Sequence, residues 1–225
     1  MPKPNGTLST KNYTDESPLI ESEEYLQNKF GDLTTVSYPG LDEFKILNNK
    51  KIPGGDFEGM TMKQALQSFN NTRFCLLIFG SNDWLSLIQM NTETAVRHFL
   101  QVVSKLFNLT NFKVVILTTL IPRKEMYRNN KIHPKIVQFN SFLLSTVNKN
   151  EFQLQIQNRN GRMQRLHYRV ADLQGVLPYE KISEMYCQGD VVKIPYYPDK
   201  VHLQGEYMER VLKQMFQEAW KYLKK

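Results

Sequence analysis

A chain of 225 residues with 41% hydrophobic content is long enough for one domain with a substantial core, and no apolar run approaches the ~18 residues of a membrane span. Two distant cysteines, Cys75 and Cys187, leave no disulfide framework and no metal-type cysteine spacing. The start, Met1 to Lys11, is polar and lacks a hydrophobic signal core, so a reducing, cytoplasmic setting is the expectation.

The net charge of +7 is unevenly spread. Residues 1–35 carry −3, while residues 36–225 carry +10, with 26 Lys and Arg against 16 Asp and Glu. Such a basic body suits an anionic partner, nucleic acid or a phospholipid surface.

In chain order, residues 1–16 read as a flexible arm and 17–225 as a single domain. Pro18 to Phe30 has approximate helical spacing, stopped by Gly31. Leu33 to Tyr38 reads as a short strand ending at Pro39-Gly40, Leu41 to Leu47 as a short helix, and residues 48–60 as loop. Clear alternation follows. Met62 to Phe69 is helical. Phe74 to Phe79 is continuously apolar, as a central parallel strand requires. Thr92 to Phe107 is strongly amphipathic, with Ala95, Val96, Phe99, Val102, Val103, Leu106 and Phe107 on one face. Val114 to Ile121 is a second buried strand, and Lys135 to Val147 a helix. Phe152 to Ile156 and Leu166 to Val170 alternate like strands, with turn chemistry between them at Asn158 to Gly161. Gly205 to Tyr222 is a last amphipathic helix. Strand–helix alternation with short joins predicts an α/β fold: three layers, doubly wound around a mostly parallel sheet, flavodoxin-like.

In such sheets, sites form at the carboxyl ends of strands. There the sequence places Gly80-Ser81-Asn82-Asp83, where Asn82 is a candidate oxyanion donor and Asn and Asp are also helix caps. Far downstream stands Asp199-Lys200-Val201-His202, in which an Asp three residues before a His can orient the imidazole. Gly54-Gly55-Asp56-Phe57-Glu58 has the wrong order for a cyclase signature and reads as a turn. There is no Walker loop or dinucleotide fingerprint, and no cofactor or metal is expected.

Gly40, Gly80-x-Asn82-Asp83 and Asp199-x-x-His202, in that order, resemble the later blocks of the SGNH (GDSL-type) hydrolase family over roughly residues 15–222. The resemblance implies an SGNH hydrolase-like fold, with Gly40 and Asn82 as oxyanion donors and Asp199 and His202 serving a nucleophilic Ser. The first block departs from the pattern. The only candidate is Asp15-Glu16-Ser17, which lacks the Gly and follows a polar stretch, whereas a nucleophilic Ser must be fixed on a tight turn beside its base. Ser17, Gly40, Asn82, Asp199 and His202 are therefore read as vestigial. A spoiled first block with a basic body is similar to the OSK-type domains of Oskar proteins. That resemblance implies no esterase activity, binding to mRNA and its 3' regions, and a place with germ-granule proteins in cytoplasmic ribonucleoprotein granules during germ-cell formation. Esterase-like domains of retroelement proteins share the Ser-Tyr-Pro-Gly and Gly-x-Asn-Asp style and keep an active acyl hydrolase open as the alternative; a protein-interaction scaffold is the third.

Two basic segments are the RNA-binding candidates. One follows the second buried strand: Arg123, Lys124, Arg128 and Lys131, then His133 and Lys135, with Tyr127 among them. The other surrounds the expected hairpin: Arg159, Arg162, Arg165 and Arg169, with His167 and Tyr168. Arginine suits phosphate and stacked bases, and an arginine-rich hairpin has no evident role in the fold. A third group, Lys213, Lys221, Lys224 and Lys225, reads as a solvated face.

Overall fold

A strand covered on both faces needs apolar residues at successive positions. Two segments have that composition: β1 (Phe74–Leu77), half-buried over most of its length, and β2 (Val114–Thr118), buried throughout. The structure, a computed structural model, describes Val36, Tyr38 and residues 41–69, 72–128, 131–149, 153–177 and 205–223. The arm, the expected helix from Pro18, and Asp199 to His202 lie outside those residues. Of the strand expected over 33–38, Val36 and Tyr38 are described. Neither is in a strand, and both pack against the core.

The remaining elements are helices α1 (Glu43–Leu47), α2 (Met62–Ser68), α3 (Trp84–Gln89), α4 (Thr92–Phe107), α5 (Pro134–Leu144) and α6 (Gly205–Leu223), a two-residue ribbon of β3 (Tyr127–Arg128) and β4 (Lys131–Ile132), and strands β5 (Gln153–Gln157) and β6 (Met163–Ala171). The four-stranded sheet has the order β1-β2-β6-β5. β1 and β6 both run parallel to β2, and β5 is antiparallel to β6. This is the mostly parallel α/β sheet that the sequence predicts.

Alternation along β2 separates two cores. Val115 and Leu117 face α2, α4 and α5 through Leu66, Phe99, Val103 and Phe139. Val114 and Ile116 face α6 through Val211, Met215 and Ala219. Local chemistry sets the helix starts. Asn91 accepts from the Glu93 and Thr94 N–H groups at the head of α4, and Thr61 and Gln64 form a reciprocal capping box on α2. Pro134 stands in the first turn of α5 behind His133, whose Nδ1 accepts from Lys135 N–H.

Asn158 Oδ1 accepts from Asn160 and Arg162 N–H groups, and Gly161 takes the left-handed conformation (φ 73°) that closes this three-residue hairpin loop. β6 outruns β2 at one end and β5 at the other. It reaches the level of Val114 only at His167, so its first four residues and the hairpin project about 13 Å past the β1–β2 ladder. At its other end β5 stops at Gln153, opposite His167. There the Asn148 side chain takes the place of a strand residue: its amide donates to Val170 O and its oxygen accepts from Val170 N–H. Asn148 stands in the π-helical turn, Ser145–Lys149, that follows α5 where a continuous helix to Val147 was expected.

Candidate functional site

The carboxyl end of β1 turns sharply at Gly80, which has φ 97°. A Cβ there would lie 2.7 Å from Phe99 Cε2 and 2.9 Å from Leu120 Cδ2, so only glycine fits between α4 and the end of β2. The next residue stitches the two strand ends together. Ser81 Oγ accepts from Ile121 N–H and donates to Ile121 O, each at 3.1 Å.

Asn82 follows, exposed at the sheet's carboxyl edge. Its Nδ2 donates to Leu41 O at 2.9 Å, and its Oδ1 accepts from Arg123 Nη1 at 2.6 Å. The same Arg123 nitrogen reaches Ser81 O at 3.4 Å, and its buried Nε lies 3.5 Å from the Glu125 carboxylate without a hydrogen bond. Asn82 thus ties the segment ahead of α1 to the loop after β2, with its carbonyl turned to an arginine. Arg123, expected in a free basic cluster, is largely covered by these contacts.

Asp83 opens α3 without capping it. Its Oδ1 instead accepts from Glu43 N–H at 3.0 Å, and its buried Oδ2 has no hydrogen-bond partner. Glu43 Oε1 in turn meets His98 Nε2 at 2.6 Å. Desolvation, with the charges of Asp42 and Glu43, pushes the Asp83 carboxyl up to about 6 against the opposing pull of the Glu43 N–H and His98. The Glu43–Asp83–His98 cluster lay outside the sequence reading, since its members stand 40 and 55 residues apart. Among the described residues no group of three or more His, Cys, Asp or Glu is placed to hold a metal ion, and no helix is long and apolar enough to cross a membrane.

Of the five residues read as vestigial hydrolase machinery, only Asn82 is described. Ser17, Gly40, Asp199 and His202 lie outside the described residues. The first basic segment contains the β3–β4 ribbon, an element not expected from the sequence. Lys131 is exposed on it, Lys135 Nζ donates to Ile88 O at 2.7 Å, and the side chains of Lys124 and Arg128 lie outside the description.

The second segment divides. Arg159, Arg162 and Arg165 are exposed on the hairpin and its stem. Arg169 differs from that expectation. It is half-buried and its Nη1 donates to Asn148 O at 3.3 Å, so it serves the fold at the point where β5 ends. The two basic segments also lie at opposite ends of the sheet. Arg123 follows the carboxyl end of β2, while the hairpin precedes the amino end of the parallel β6. No protein-family model, curated protein or solved structure matches the chain.

Proposed function

We propose that this protein is a non-catalytic, SGNH-like three-layer domain that binds RNA, with mRNA in germ granules as the setting its sequence resemblance implies. The observation that carries the reading is the hairpin. The side chains of Arg159, Arg162 and Arg165 are exposed and make no hydrogen bond or ion pair among the described residues. Arginines without a role in the fold suit phosphate and stacked bases. The engagement of Asn82 with Leu41 O and Arg123 supports the absence of catalysis, because an oxyanion donor must aim its N–H at the reacting oxygen.

Filter binding of labelled RNA at about 50 and 200 mM salt tests the proposal, since phosphate-dominated affinity falls steeply over that range. Binding that is salt-sensitive and weakened by Arg162→Glu with Arg165→Glu is expected. Absence of binding at low salt removes the reading. Turnover of a short-chain acyl ester, lost in His202→Ala, would replace it with the hydrolase alternative, which the exposure of Asn82 at the carboxyl edge favours.

A further inference from the structure

Between Glu93 and Asp172 the only acidic residues are Glu125 and Glu151. The cations of this stretch and its neighbours are treated differently at the two ends of the sheet. Toward the carboxyl end, Arg123 is held by Asn82, Ser81 O and Glu125, Lys135 by Ile88 O and Arg97 by Glu93, while Lys131 is exposed. At the amino end the opposite holds. Arg73 and Lys113 immediately precede β1 and β2, both are exposed, and neither side chain makes a hydrogen bond or ion pair among the described residues.

The fold brings these two residues together. Phe74 pairs with Val114, so Arg73 and Lys113 stand side by side one strand spacing apart, about 4.8 Å, and Lys113 N–H donates to Arg73 O at 2.8 Å. Lys113 O accepts from His167 N–H of β6 at 2.9 Å. The pair thus forms a shelf at the foot of the projecting hairpin, whose Arg159, Arg162 and Arg165 are equally unengaged. The turn after α4 ties into the same corner: Leu109 N–H donates to Gln157 O at 2.7 Å, and Gln157 N–H to Asn108 Oδ1 at 3.2 Å.

We infer that the amino-terminal end of the sheet is the RNA-binding rim, with Arg73 and Lys113 taking phosphates of a strand that the hairpin arginines also hold. This rests on the RNA-binding reading and deepens it, because it moves the interface away from the carboxyl edge where sheets of this class place small-molecule sites. Five cations from three separate segments, lying in the acid-free intervals Glu58 to Asp83, Glu93 to Glu125 and Glu151 to Asp172, form a surface complementary to a phosphodiester backbone. Isolated point charges fit backbone contact rather than base readout, so a sequence-tolerant single strand is the expected ligand.

The test is fluorescence anisotropy of labelled oligouridine against the full chain and against Arg73→Glu, Lys113→Glu and Lys131→Glu, each across a salt series. Arg73→Glu and Lys113→Glu are expected to weaken binding about tenfold and to lower the salt slope by about one each. Both side chains are exposed and unbonded, so thermal midpoints should match the parent, and Arg73→Gln and Lys113→Gln repeat the measurement without a reversed charge. Parent binding that ignores the rim substitutions but falls with Lys131→Glu puts the strand at the other end and overturns the rim while leaving RNA binding standing. Binding that falls only with Arg162→Glu and Arg165→Glu confines contact to the hairpin and also overturns it. A parent that does not bind at low salt removes the RNA-binding reading itself, and the rim with it.

Discussion

Arg123 donates from Nη1 to Asn82 Oδ1 at 2.6 Å, joining the loops after β1 and β2 across 41 positions of sequence. The contact gives Asn82 a structural role that can be measured. Asn82→Ala removes both this bond and the one to Leu41 O. It is expected to destabilise the fold by about 1 kcal/mol in urea denaturation, as a partly exposed pair of hydrogen bonds should. An asparagine retained only to bind substrate would change stability little.

Gly80→Ala should be the harsher change in the same turn. The new methyl would meet Phe99 and Leu120 within 3 Å at a backbone angle that side chains rarely adopt. Overpacking and left-handed strain together predict a loss of about 2–4 kcal/mol, read as a lower denaturation midpoint.

Asp83 makes stability depend on pH in a defined direction. Its folded carboxyl is raised from the usual 3.8 to about 6, mainly by desolvation. Between those values the folded state holds a proton that the unfolded chain has lost, so this group's contribution to stability declines as pH rises through the window. Asp83→Asn keeps an acceptor for Glu43 N–H and cannot ionise. The variant should gain on the parent as pH increases from 4 to 6 and hold a constant difference above 7, followed by thermal melts across pH. A difference that does not change with pH would show that Asp83 titrates normally.

Cys75 packs against the core on β1, and burial pushes its thiol up to about 12. The thiolate is the reactive species. Cys75 should therefore resist alkylation at neutral pH in the native protein and label fully in denaturant, as read by mass spectrometry of its peptide.

Much of the framework was legible because it is local. The apolar stripe of α4 marked Thr92–Phe107 at both ends, and the continuous apolar runs announced two strands, of which β2 is buried throughout while β1, expected to be central, is half-buried at the edge of the described sheet. The missed elements were too short to show a period: α3 spans six residues, and β3 and β4 two each. The candidate interface was legible only in part, for a different reason. Arg159, Arg162 and Arg165 cluster along the chain and were found there. Arg73 and Lys113 are single basic residues in otherwise apolar or amide-rich surroundings, and only the parallel register of β1 and β2 makes them neighbours. Nor does spacing reveal that Arg169, in the same arginine run, turns to Asn148 rather than to solvent.

That last contact belongs to a feature with a wider meaning. Where β5 stops, the upper part of β6 would present an open edge, a row of donors and acceptors able to recruit a strand from another molecule. Asn148 answers Val170 with both halves of its carboxamide, and Arg169 clasps the Asn148 carbonyl from the same strand. One side chain thus occupies the place of a missing strand, and the backbone of Val170 finds its donor and acceptor within the chain instead of offering them to another.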